Sequence, residues 1–358
     1  MKLFFKLLGA LTLTALTATG AWAQKIKVGM LPLNHNTPMY AQEAGFFKKN
    51  GLDVEVVTFQ AGPAMVQAIL SGDIVGGSFG PIPMLNLAAN GAPVYALAMD
   101  GFHTPKHPAA AIMIRPDDNS IKSFADLKGK NVGQLAAGTL TAMRLTMAAE
   151  KYNMKRTDFR EVFVPFPQMG QLLASKQVDA IYTWPPFDTL VQKAGQGKIL
   201  VDDTDWSPYA VASHLGVSKT WADKNPDMAK NLTKAYIEAG RWANDNPAEA
   251  RRVAAQYMKL PEDVAKDMRM MYWSRNGLNI MPSIWDQYLM MVKTGVLKPV
   301  ANPQAMMDAY YIQPGQRFVV PALRELGIQP DPLTDSLRKT KLHYLDADVS
   351  TYLAPWER

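Results

Sequence analysis

Four short segments carry the residues best suited to hold an anion. Thr37 precedes Pro38, Ala61-Gly62 precedes Pro63, Gly80 precedes Pro81, and Gly138-Thr139 opens an apolar stretch of helical spacing. Each lies where a strand pattern gives way to a helix pattern. A helix start offers unpaired N–H groups and the positive end of the helix dipole, and small residues there let an oxyanion approach the backbone closely. Glycine, serine and threonine at such positions are also ordinary capping chemistry. The neighbouring loops add His35, Asn36, Phe79, Phe102, His103, Tyr182 and Trp184. Trp184 precedes Pro185-Pro186 directly after a buried strand pattern, so its ring is expected at the loop, facing a cleft. The candidate ligand-binding set is therefore His35, Asn36, Thr37, Ala61, Gly62, Phe79, Gly80, Phe102, His103, Gly138, Thr139 and Trp184.

Other chemistry finds little support. His103 and His107 are four apart, but Pro105 lies between them and Pro108 follows, so they share no helix face and no nearby carboxylate completes a metal shell. No metal and no cofactor is expected. His214 lies in an apolar run and reads as a hydrogen-bonded core histidine. Arg144, just over a turn into its helix, could reach an anion or form a surface ion pair. The sequence contains no G-x-S-x-G, H-E-x-x-H, Walker or G-x-G-x-x-G motif. Ser78, in Gly76-Gly77-Ser78-Phe79-Gly80, has no identifiable acid–base partner. An enzyme is not expected.

The elements that position these residues alternate. Strand patterns at 25–30, 52–59 and 74–79 are each followed by a helical pattern, and the plan recurs with strands at 131–135, 160–164 and 178–182. Such alternation predicts a parallel sheet flanked by helices. Two such units in series predict an α/β, two-lobed fold. The extended runs 109–114 and 209–217 are expected to be the two strands where the chain crosses between lobes. Beyond 221 the pattern is helical to about 298, and the last sixty residues are richer in proline and less regular.

The chain has 358 residues, 48% hydrophobic and 20% charged, with a formal net charge of +6 and no cysteine. This length fits about two domains of roughly 150 residues. The balance excludes a disordered chain, and zero cysteine excludes disulfides, a lipid-anchored cysteine and thiol nucleophiles. The positive charges are scattered, without a basic stripe interleaved with aromatics, so nucleic acid is not an expected partner. Lys2 and Lys6, the apolar stretch 7–19 and Ala21-Trp22-Ala23 read as a secretory leader cleaved before Gln24. The expected product is soluble and periplasmic.

Several segments resemble one family. Gly45-Phe46-Phe47, Gly51-Leu52-Asp53-Val54, the run 67–74, Ala89-Asn90-Gly91-Ala92-Pro93-Val94 and the run 124–132 are similar to those of ABC-transporter solute-binding proteins of the sulfonate, taurine, nitrate and thiamine-precursor group. The resemblance covers roughly 26–300. It implies a two-lobed periplasmic-binding-protein fold of type II with two hinge strands. It also implies a monomer that closes on a small solute and presents it to an inner-membrane permease with a cytoplasmic ATPase. The corresponding division is a leader at 1–23, a first lobe at 24–112 plus 213–300, a second lobe at 113–212, and a C-terminal extension at 301–358 packed on the first lobe. The expected solute is a small organic anion: an alkyl or aryl sulfonate, taurine or a sulfate ester. The alternatives are a thiamine-pyrimidine-like heteroaromatic, or nitrate or bicarbonate. Pyrimidine-precursor synthases share the fold but depend on a cysteine-rich segment, which is missing here.

Overall fold

The computed structural model describes residues 25–60, 62–108, 110–329, 337–345, 348–354 and 356. The leader reading and Ala61 fall outside the described residues. The strands, in chain order, are β1 Ile26–Met30, β2 Val54–Thr58, β3 Gly76–Phe79, β4 Val94–Met99, β5 Gly101–Phe102, β6 Ala111–Ile114, β7 Asn131–Gln134, β8 Arg160–Phe163, β9 Ala180–Thr183, β10 Lys198–Asp202, β11 His214–Ser218 and β12 Tyr272–Trp273.

Two five-stranded sheets are built on one plan. The first has the order β2-β1-β3-β11-β4 and the second β8-β7-β9-β6-β10. Within each, the three strands of a β-α-β-α-β unit run parallel. The fourth strand, β11 or β6, runs antiparallel to both neighbours. The sheets are therefore mixed where a parallel sheet was expected. The reason is topological: each antiparallel strand is the one by which the chain enters from the other lobe, so it comes in from the opposite side. The crossings lie between β5 and β6 and between β10 and β11, where the two extended runs were expected.

The centre of the first sheet is packed backbone against backbone. β3 is buried along its length and begins with Gly76-Gly77. A Cβ on Gly77 would stand 2.5 Å from Met65 Sδ and 2.7 Å from Gly29 O, so only glycine lets the helix Gly62–Ser71 lie this close. That close fit carries the Gly62 helix start up to the carboxyl end of β3. The helical pattern that follows β1 is not one helix. Gly45 adopts φ +75 and splits it into Pro38–Glu43 and Phe46–Lys49.

The C-terminal extension touches both lobes. Its helical turns over 303–325 lie on β4 and on the helix Pro226–Asp245, with Tyr311 against His214. Further on, the backbone N–H groups of Tyr344 and Leu345 donate to Asp286, and Tyr352 packs on Trp285. His343 Nε2 then reaches Glu150 Oε2 at 3.1 Å, on the second-lobe helix Leu140–Lys151. Among the described residues no helix is long and apolar enough to cross a membrane.

Candidate functional site: a cleft between the two sheets

The carboxyl ends of both sheets meet at a cavity of about 190 Å³. Open α/β sheets bind ligands at this edge, where strands lead into helices. Larger hollows of about 430 and 360 Å³ lie on the outside, against the helix Pro247–Met258. They are not between the sheets.

Eight of the twelve expected residues line the cavity: His35, Asn36, Gly62, Phe79, Gly80, Gly138, Thr139 and Trp184. Three helix starts converge there, two from the first lobe and one from the second. Thr139 caps its helix as expected, its Oγ1 accepting from Ala142 N at 3.3 Å, and Gly138 before it adopts φ +68. A Cβ at Gly138 would meet open space, so the strain of a side chain there is conformational. Gly138→Ala should therefore cost about 1 kcal/mol of stability, measured by urea denaturation.

Three expected site residues lie elsewhere. Thr37 does not line the cavity and does not cap its helix. It has helical dihedrals, and its buried hydroxyl faces Asp100. Phe102 is core, 1% exposed and edge-on to Tyr272 at 5.5 Å, because β5 pairs with β12 and turns the ring inward. His103 sits behind Trp184, its ring centroid 5.5 Å away and nearly perpendicular.

The walls are mostly apolar. Leu31, Leu33, Ile82, Leu135, Leu140 and Phe166 contribute, and Phe166 stacks on Phe187 at 5.5 Å. Among the described residues no Asp, Glu, Lys or Arg lines the cavity. Its polar groups are uncharged: Asn36, Thr139, Thr141, Ser213 and His35. Burial, aided by the positive charges of His103 and Arg144, pushes the His35 imidazole down to about 3, so it is neutral at pH 7. Asn36 Oδ1 accepts from Leu31 N at 2.7 Å, which orients its amide. Asn36 Nδ2 and His35 Nδ1 are buried without partners among the described residues, while the Ser213 hydroxyl faces the Asp100 carboxyl. Buried polar groups are normally paired, so two open ones on one cavity mark where a solute's polar atoms can bind.

Behind the Trp184 ring lies a charge cluster that sequence reasoning missed. Arg144 Nη1 donates to Asp203 Oδ2 at 2.5 Å and lies 2.7 Å from His103 Nε2. His103 Nδ1 is 3.1 Å from Asp203 Oδ1, and Tyr182 Oη donates to Oδ2 at 3.0 Å. Burial works against the charged form of Asp203, but His103 and Arg144 beside it hold the carboxyl down to about 2. Burial and the Arg144 charge push His103 down to about 4. At neutral pH the cluster is thus carboxylate, guanidinium and neutral imidazole, with the imidazole donating from Nδ1 and accepting at Nε2. The Arg144 guanidinium stands 5.2 Å from the Trp184 ring centroid. Arg144 is 1% exposed, neither lining the cleft nor forming the surface ion pair considered from the sequence. His214 is buried, but both its ring nitrogens lack partners among the described residues, so it is not the hydrogen-bonded histidine expected.

The NMT1-like family model matches residues 20–259. The chain belongs to this family. A binding protein of Brucella abortus is 28% identical over 222 residues, covering 62% of this chain and 66% of that protein, just under two thirds of its length. The crystal structure of the periplasmic aliphatic sulphonate binding protein SsuA from Escherichia coli superposes with a TM-score of 0.66 at 22% identity, covering 78% of this chain and 90% of that one. The structure of desulfurization enzyme DSZB superposes with a TM-score of 0.64 at 18% identity, covering 84% and 99%. This NMT1-like chain therefore has the two-lobed periplasmic-binding-protein fold, and both its sheets follow one strand order.

Proposed function

We propose that this chain is the periplasmic solute-binding component of an ABC importer, a monomer that captures a small organic anion by closing its two lobes. The observation that carries the reading is the convergence of three helix starts from both lobes, at Gly62, Gly80 and Gly138, on one cavity. A solute touching both lobes binds the closed state better than the open one, which is all that closure requires. Its partner would be an inner-membrane permease with a cytoplasmic ATPase, and residues 1–23 would be its export leader. On this reading the first lobe is 24–112 plus 213–300 and the second 113–212. The sulfonate named for one structural neighbour supports the solute class.

The walls narrow that class. Apolar side chains surround the cavity, which favours an arenesulfonate over taurine, whose ammonium would meet no carboxylate on the lining. The guanidinium behind Trp184 draws on the indole π-cloud, so the ring suits an electron-rich or anionic partner better than a cationic one. A binding role fits the chain better than catalysis: it has no cysteine, and among the described residues no hydroxyl on the cavity lining is hydrogen-bonded to His35.

A thermal-shift screen tests the reading with taurine, alkane- and arenesulfonates, sulfate esters and pyrimidines. A solute that binds only the folded state raises the melting temperature. Arenesulfonates are expected to raise it most. A rise with pyrimidines alone would overturn the anion assignment. Trp184→Ala should weaken the bound solute by about 1–2 kcal/mol, roughly five- to thirtyfold in Kd, by isothermal titration. Unchanged affinity would take that ring out of the site.

A further inference from the structure

We propose that Arg269 is the positioning residue that sets the width of the cleft: it ties the His35 loop of the first lobe to the Trp184 loop of the second without touching the cavity. Arg269 follows the helix Glu262–Asp267 and precedes β12, whose pairing with β5 anchors this segment in the first lobe. Its carbonyl accepts from Asn34 Nδ2 at 2.6 Å, and Asn34 is the residue before His35. Its guanidinium reaches into the second lobe. Nε donates to Asp188 Oδ2 at 2.5 Å, and Nη1 donates to Asp202 Oδ1 at the end of β10.

Asp188 belongs to the first turn of the helix Phe187–Lys193. The N–H groups of Phe187 and Asp188 donate to Trp184 O at 2.8 and 3.3 Å, so a shift of Asp188 carries the Trp184 loop with it. Between the two loops, the His35 and Trp184 ring centroids are 5.7 Å apart. A second ion pair, Lys193 with Asp267, crosses the same boundary.

The chemistry makes this tie stiff. Asp188 is fully buried, so its charge needs a fixed partner; burial raises its pKa and Arg269 works against that rise. A planar guanidinium can hold two carboxylates in set directions, which an ammonium on a flexible stem does less well. All the groups involved belong to the protein, so the tie needs no atom of the solute. It keeps the walls near their binding spacing and reduces the ordering that capture would otherwise require.

Distance measurement between lobes tests the assignment. The chain has no cysteine, so Ser71→Cys and Ser175→Cys, both exposed, place one spin label on each lobe. Without added solute, R269Q should move the double electron–electron resonance distance distribution to longer values, while circular dichroism stays that of the folded protein. R269K should reverse part of the shift. D202N, which removes only one of the two carboxylates and that one partly exposed, serves if R269Q does not fold, and should give a smaller shift of the same sign. A folded R269Q, or failing that D202N, whose distribution overlays the wild type would overturn the proposal. The result does not depend on which solute the cleft takes, so a failed solute screen and a failed Arg269 assignment are separate outcomes.

Discussion

Asp203→Ala is expected to destabilise the protein by about 3–5 kcal/mol, the cost of removing one partner from a buried ion pair. Arg144 would be left buried with its charge opposed by nothing, and Tyr182, His103 and the Ala110 N–H would each lose an acceptor. The cluster also joins distant parts of the second lobe: Arg144 from the helix leading away from the cleft, Tyr182 from β9, and Asp203 from the turn that follows β10. Its loss should therefore loosen the backing of Trp184 as well as lower stability. Urea denaturation at pH 7 gives the stability change. A loss under about 1 kcal/mol would show that the cluster does not hold the lobe together.

The second large effect is on pH dependence. Burial is the leading cause that pushes His214 and His35 down to about 3 and His103 to about 4. In the unfolded chain each returns to about 6.5. Between these values the unfolded chain binds more protons than the folded one. Stability is therefore intact above pH 6.5 and falls as pH drops towards 3, by about 1.4 kcal/mol per unit for each histidine. His214 isolates the effect, because its nitrogens hold no hydrogen bonds among the described residues that a substitution would break. His214→Leu should recover about 2–3 kcal/mol of what the wild type loses between pH 7 and pH 4.5. Asp100 acts in the opposite sense. Burial raises it to about 7 against the hydroxyls of Ser78, Thr37 and Ser213, so its contribution is full below about pH 4 and is lost as pH rises through 7. Comparing the variant with the wild type across pH cancels the Asp100 contribution. If both show the same acid limb, His214 is not the group being titrated.

Much of the fold is legible in the sequence because the signals are local. Pro38, Pro63 and Pro81 mark helix starts, and Gly51, Gly72 and Gly91 mark stops, and the strand–helix alternation between them follows in both lobes. Local signals cannot say which distant segment supplies a sheet's fourth strand, so the antiparallel β6 and β11 were read as crossings but not as members of mixed sheets. The same limit applies to the site. Gly62, Gly80, Gly138 and Trp184 reach the cleft because strand ends and helix starts place them there. Phe102 and His103 occupy an equivalent loop, yet the pairing of β5 with β12, some 170 residues on, turns that loop into the interior. The Arg144–Asp203 pair joins residues 59 apart and carries no local pattern that reveals it. Phe166 was missed because it opens the helix Phe166–Ala174, and no local pattern shows that this first residue faces the other lobe's strand ends.

The central claim is that one solute is held by both lobes at once. Hydrogen exchange on the full mature chain, with and without the best ligand of the thermal-shift screen, tests it most directly. Slowed exchange is expected in three places together: the segment around 31–37 and the Gly80 helix start in the first lobe, and 138–142 in the second. Protection confined to one lobe, or found only on the outer hollows beside the helix Pro247–Met258, would contradict it.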